Sequence, residues 1–301
     1  MINRRVFRIP LLLSFTAAAF ALQVGSRPAF AGDATPLQNM ISPVSVPTLN
    51  EDPRVDTEIR PMYMFTSIAN DFATNGGKYQ VIAVQARAAI TDRIGFIATK
   101  DGYIFLDPKE AVPDHSGWAN IAFGFKGSVW QDEDTASIAT IGLRYEAPMG
   151  NQRVFQGYGD GLLNPFVSAA KGFDDVHLQA YAGPRIAISG EDSSFFDASL
   201  HVDYQLWNLY PLAEFNWVYV YDAGRRIPLT KEGFDLVDFG SSEAEEESVV
   251  TTALGLRYRV TDDIDLGVTG EFPLTSDSGI FGWRVTTDLI WRPMGWNALF
   301  N

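Results

Sequence analysis

The sequence predicts an all-β chain that closes into a twelve-stranded antiparallel transmembrane up-and-down β-barrel. Three observations predict it. Twelve segments alternate apolar and polar residues with a period of two, the signature of strands with one greasy and one wet face. Many run to about 11–13 residues, where soluble strands average about 5–6 and a tilted membrane-crossing strand needs about 9–11. The connections between them alternate short and long along the whole chain, as tight turns at one barrel end and longer loops at the other require.

The N-terminus is read first. Arg4, Arg5 and Arg8 precede an apolar run over residues 9–22, and the segment reaches Ala29-Phe30-Ala31. A basic region, a short apolar region and a small-residue cleavage site make residues 1–31 a secretory signal peptide, so they are set aside from the fold. What remains carries 19 Lys and Arg against 37 Asp and Glu, a net charge of −18 with His neutral. Such acidity excludes nucleic acid as a partner, because phosphate binding needs the opposite sign. The absence of cysteine excludes disulfides and thiolate chemistry. Residues 32–60 are polar, lack a sustained period and contain Pro36, Pro43, Pro47 and Pro53. They read as a mobile periplasmic linker before a barrel over residues 61–301.

From there the strands follow in order. The clearest occupy residues 80–90, 120–130, 136–147, 176–188, 196–207, 212–222, 249–260, 264–274 and 281–292; weaker ones occupy 62–69, 94–105 and 164–173. The pair at 196–222 shows the pattern best. Phe196, Ala198, Leu200, Val202, Tyr204, Phe215, Trp217 and Tyr219 share one side; Asp197, Ser199, His201, Asp203, Glu214 and Asn216 share the other. In a membrane barrel the greasy side faces lipid and the wet side the lumen. Trp207, Tyr258 and Trp291 fall near the short-turn ends of their strands, and Tyr145, Tyr221, Phe272 and Trp283 near the long-loop ends. Amphipathic rings favour the headgroup zone there.

Over residues 61–292 the chain resembles the outer-membrane β-barrel proteins of Gram-negative bacteria. More loosely, FGFKGSVWQDEDTASIATIGLRYEAPMG at residues 123–150 is similar to transporters of the MetA-pathway phenol-degradation type. The resemblance implies an outer-membrane location with both termini periplasmic, and lipid and lipopolysaccharide as partners. Such barrels often end on an aromatic residue; here Phe300 is next to last.

The candidate pore-lining residues are the charged ones on the wet parity: Arg87, Lys126, Arg144, Glu146, Arg185, Asp203, Glu214, Arg257, Arg259, Glu271 and Arg284. The expected register sets Arg259 opposite Asp265 and Glu271 opposite Arg284, pairs worth about 0.2–1 kcal/mol each. Two readings of these charges stand. They set the selectivity of a passive, porin-like channel for small solutes, or their salt bridges fill a non-conducting structural or adhesion barrel. Small inward residues, among them Gly124, Gly142, Gly183, Gly255 and Gly267, leave space and favour the pore.

Other chemistry has less support. Ser199, His201 and Asp203 share a face, but i and i±2 neighbours stand roughly 6.5–7 Å apart along a strand, too far for a nucleophile and its base. No enzyme, cofactor or metal is therefore expected. Gly157, Gly159 and Gly161 read as turn residues with positive φ, in a loop that could fold into the mouth as a constriction. The acidic run 243–247 reads as solvated surface, with divalent cations bridging to lipopolysaccharide as the alternative.

Overall fold

Alternation of side chains fixes which face of each strand meets which medium, and closure of the sheet then decides the architecture. The computed structural model describes residues 36–293. The signal-peptide reading of residues 1–31 and the near-terminal Phe300 lie outside them. A four-residue helix, α1 (Pro36–Asn39), opens the described chain. The strands are β1 (Glu58–Ile68), β2 (Gly77–Ala89), β3 (Ile94–Lys100), β4 (Tyr103–Pro108), β5 (His115–Trp118), β6 (Ile121–Asp132), β7 (Ser137–Ala147), β8 (Leu162–Phe173), β9 (Val176–Ala187), β10 (Ser194–Tyr204), β11 (Leu209–Asp222), β12 (Ser248–Thr261), β13 (Ile264–Pro273) and β14 (Phe281–Trp291).

These fourteen segments make twelve staves. β3 and β4 both pair with β2, one on each half of its length, and β6 and β5 pair with β3 and β4 in turn. Two staves are therefore broken, one at Ala119-Asn120 and the other at Asp101-Gly102. Gly102 has φ +107, and a Cβ there would stand 2.5 Å from the Ile82 carbonyl, so only glycine fits the break. The Asp101 carboxylate accepts from the Val84 N–H at 3.1 Å and replaces the ladder bond lost there. Every pairing is antiparallel, and β1 pairs with both β2 and β14, which closes the ring. Closure leaves no bare sheet edge apart from that of the short β5, which pairs with β4 alone. The registers expected from the sequence hold: Arg259 stands opposite Asp265 and Glu271 opposite Arg284.

The greasy face is outside. Ile82, Phe125, Leu143, Val167, Leu200, Phe215, Leu254 and Leu266 are all exposed, whereas His201, Glu214, Arg257 and Arg284 are fully buried. Polar-in and apolar-out is the inverse of a soluble protein and is what a hydrocarbon solvent selects. Trp207, Tyr258 and Trp291 are exposed near the short-turn end, and Tyr221, Phe272 and Trp283 near the long-loop end.

One expectation is overturned. Residues 36–57 are not a mobile linker outside the barrel: they run up its interior from the short-turn end and come back. Leu37 and Met40 pack on Ala136, Ile138 and Ala170 beside the turn joining β6 to β7. Ile41 and Val44 pack on Tyr210 and Leu212, and Val46 and Leu49 on Ile97, Phe166 and Tyr181 farther up. The segment reverses where the N–H groups of Leu49 and Asn50 both donate to the Val46 carbonyl at 3.0 Å, with Val46 at φ +46. It then descends to β1, whose first residue, Glu58, lies three positions before the expected barrel start. The partners that order this plug lie far away in sequence, which is why its own prolines and lack of period suggested mobility.

Candidate functional site

The lumen is the candidate site, and the plug is held there mostly by wall side chains that reach its backbone carbonyls. Arg257 Nε donates to the Ser42 carbonyl at 3.1 Å, Arg60 to Pro43 at 2.7 Å, Gln85 to Pro47 at 2.7 Å, Lys126 to Asp52 at 2.7 Å and Thr140 to Pro53 at 2.6 Å. Arg259 donates to the Met40 carbonyl at 3.1 Å. A carbonyl without a ladder partner needs a donor once buried, and the irregular plug offers many.

Two carboxylates fasten it more firmly. Glu51, on the plug, meets Arg87 through both oxygens at 2.9 and 2.8 Å and Lys126 at 2.8 Å, with Arg144 4.0 Å away. Glu214, on the wall, accepts from the N–H groups of Val44 at 2.8 Å and Ser45 at 2.6 Å. His201 bridges Glu214 and Asp203 through its two ring nitrogens at 2.7 and 3.0 Å, and Asp203 also meets His177 at 2.7 Å. Both nitrogens face carboxylates, so the arrangement suits a doubly protonated imidazolium.

From the other end the long loop 223–247 folds inward as a lid. Phe234, Asp235, Leu236, Val237 and Phe239 are buried. Asp235 takes Arg284 bidentately at 2.8 and 2.6 Å, and the Phe234 carbonyl accepts from Arg185 at 2.9 Å. Phe234 packs on Phe281 with ring centroids 4.9 Å apart. The loop 148–161 buttresses the lid: Gln156 donates to the Leu236 carbonyl at 2.8 Å, and Phe155 packs edge-on against Phe239. Thus the deeper occlusion comes from 223–247, while Gly157, Gly159 and Gly161 supply turns with φ of +69, +61 and +92. Arg226 ties Asp192 to the lid and lies over the Tyr158 ring at 4.3 Å. Burial pushes the Glu247 carboxyl up to about 8 and the Asp192 carboxyl up to about 6, the latter against the pull of Arg226.

All eleven predicted residues lie on the inner wall, but around an occupied lumen. Arg87, Lys126, Arg144, Glu214, Arg257 and Arg259 hold the plug, and Arg185 and Arg284 hold the lid. Asp203 orients His201, Glu146 pairs with Lys100 at 2.5 Å, and Glu271 lies 3.8 Å from Arg284 and accepts from Thr251 at 2.6 Å. The small inward residues do not leave a pore, because neighbours use their space. A Cβ on Gly142 would sit 2.2 Å from the Phe166 ring, and one on Gly267 2.5 Å from Asp288. Sequence reading missed Glu51, Arg60 and Asp235. The available signal was the sudden run of charge, Glu51, Asp52, Arg54, Asp56, Glu58 and Arg60, after the uncharged residues 34–50.

No catalytic set forms at Ser199. Its hydroxyl donates to Asn216 at 2.8 Å, and His201 gives both nitrogens to carboxylates. Among the described residues no group of three or more His, Asp or Glu has metal-holding geometry.

No family model matches the chain, and no curated protein matches it. Its fold is similar to that of an outer membrane channel from Pseudomonas putida F1, at 12% identity and a TM-score of 0.58, covering 84% of this chain and 99% of that one. Fainter likeness extends to the beta domain of the Bordetella autotransporter BrkA, at 10% identity and a TM-score of 0.47 over 78% of this chain and 99% of that one. The fold is that of the bacterial outer-membrane β-barrels.

Proposed function

We propose that this protein is a passive channel for small solutes across the bacterial outer membrane, closed at rest by the plug from its short-turn end and the lid from its long-loop end. The short-turn end and both termini face the periplasm in this reading, and the exposed Glu243, Glu245 and Glu246 face the lipopolysaccharide surface. One observation carries the proposal: the wall grips the plug chiefly through charged and amide side chains on main-chain carbonyls. Water replaces such contacts one for one when an irregular segment leaves, and the exposed wall is then the polar, mixed-charge lining of a water-filled pore. A permanent filling would be served as well by apolar side chains, because buried ion pairs seldom outdo them in stability.

The same filled lumen supports a second reading, a non-conducting structural barrel. Planar-bilayer recording of the full-length processed protein separates the two. Discrete openings that disappear when cysteines placed by Ser45→Cys and Asn216→Cys are joined by a short bismaleimide support a channel gated by the plug. These side chains meet at 2.9 Å, and the native chain has no other thiol to interfere. A folded barrel that never conducts, with or without the crosslink, overturns the channel.

A further inference from the structure

Withdrawal of the plug uncovers the wall charges unevenly. Glu51 is the carboxylate that the plug gives to the wall: its two oxygens meet Arg87 at 2.9 and 2.8 Å, and one of them also meets Lys126 at 2.8 Å. Its neighbour Asp52 pairs with Arg54 at 2.5 Å, so that ion pair leaves with the plug as a unit. Once Glu51 has gone, Arg87 keeps Glu58 at 3.0 Å. Lys126 and Arg144 keep no carboxylate, because among the described residues only Glu51 lies within 4.0 Å of either. The carbonyls of Thr48 and Leu49 that accept from Arg144 also depart. Among the described residues, every other buried cation of the wall keeps a wall carboxylate at 3.8 Å or less, as Arg185 keeps Asp197 and Arg284 keeps Glu271.

The register of the sheet sets these three cations side by side. Arg87 on β2 lies opposite Ile97 on β3, Ile97 opposite Gly124 on β6, and Gly124 opposite Arg144 on β7, so the two guanidiniums share one row of the wall. Lys126 follows Gly124 by two residues on β6 and therefore faces the same way. Gly124 puts no side chain between them. Arg144 is steadied from the wall itself, its guanidinium 5.0 Å from the centroid of the Phe166 ring. Arg87 presents two N–H groups in parallel, the geometry that matches the two oxygens of a carboxylate. Glu51 is such a carboxylate, already seated.

We propose that Arg87, Lys126 and Arg144 form the carboxylate-binding site of the channel, that Glu51 occupies it at rest in place of solute, and that the solutes carried are small organic anions. A lumen of mixed charge does not by itself name a solute, but three cations bared together beside one remaining carboxylate select an anion. The room for the solute is the room that the plug gives up. This site rests on the channel reading for its role in transport, and not for the binding itself. Solute and plug compete for the same donors, so a bound carboxylate holds the plug out and the channel open.

The test is isothermal titration calorimetry of sodium acetate into the full-length processed protein in detergent, wild type against Glu51→Ala, with sodium chloride and sodium sulfate compared at matched ionic strength. Acetate is the group that the substitution removes, so the variant offers it an empty seat whether its plug stays or leaves. The expected result is saturable acetate binding by Glu51→Ala, about tenfold or more tighter than by the wild type, where Glu51 competes. Adding Lys126→Gln to Glu51→Ala should weaken that binding about tenfold or more, as loss of a charge-assisted hydrogen bond implies, and Arg144→Gln in the same background should weaken it too. Heat-modified mobility confirms that each barrel has folded, and if one double variant does not fold the other decides. Absence of acetate binding by Glu51→Ala, equal affinity in this variant and the wild type, or affinity unchanged in the double variants overturns the proposal. So does chloride or sulfate bound as tightly as acetate, since the three cations would then be a patch without a carboxylate seat. Conductance of the same preparations keeps the two readings apart. A barrel that binds acetate but never conducts sinks the channel alone, and one that conducts without saturable acetate binding sinks the carboxylate site alone.

Discussion

Replacing Glu51 by Gln removes one negative charge from the fastening of the plug and changes almost nothing in shape. In the wild type Arg87 and Lys126 lie 2.8 Å from this carboxylate, and Arg144 is 4.0 Å away. After Glu51→Gln these three cations retain one close carboxylate among them, Glu58, 3.0 Å from Arg87. Removing one partner of a buried ion pair costs about 3–5 kcal/mol, because the other charge is left uncompensated. Gln keeps an acceptor oxygen and Glu58 remains, so the low end applies, about 3 kcal/mol. The penalty falls on the plugged state: when residues 36–57 withdraw, water enters the lumen and hydrates all three cations. At about 1.4 kcal/mol per decade, the equilibrium between plugged and withdrawn shifts roughly a hundredfold. The assay pairs single-channel open probability with amide exchange across residues 44–53, on barrels whose heat-modified band confirms folding. Exchange and open probability should both rise by about two orders of magnitude while the unfolding midpoint of the barrel itself changes little. Unchanged exchange at the plug would refute the reasoning, and so would a barrel that loses stability in step with the plug, since the charge would then serve the wall and not the gate.

Glu214→Gln should loosen the plug at a different point, raising exchange at Val44 and Ser45 about tenfold or more, because charge-assisted acceptors contribute about 1.5–3 kcal/mol each. Phe234→Ala should detach the lid by removing a ring packed on Phe281, at a cost of about 3–5 kcal/mol, visible as protease cleavage within 223–247 with the barrel intact. The lid should also respond to pH. Burial raises the Glu247 carboxyl from its ordinary 4.5 to about 8, so the folded lid favours the protonated form. Its contribution is full below pH 4.5 and is lost as pH rises through about 8. Cleavage within 223–247 should therefore increase between pH 5 and 8.5, and Glu247→Gln should flatten that profile; an unaltered profile in this variant would place the sensitivity elsewhere.

The sequence by itself determined the barrel: the twelve staves, the face of each strand that meets lipid and the cross-strand partners of Arg259 and Glu271 were legible because period-two alternation and turn length are local properties. A residue such as Leu200 or His201 declares its side by parity with its neighbours alone. Only the tertiary structure decided what fills the interior. Nothing near Glu51 in sequence shows that it will meet Arg87 and Lys126, and nothing near Asp235 shows that it will meet Arg284. Nor does the glycine at 142 reveal that Phe166 occupies the room beside it. Closing the ring brings the wall charges within reach of one axis, where an irregular segment with few hydrogen bonds of its own finds donors for its carbonyls from every side. That convergence depends on the curvature of the closed sheet, which no local pattern encodes.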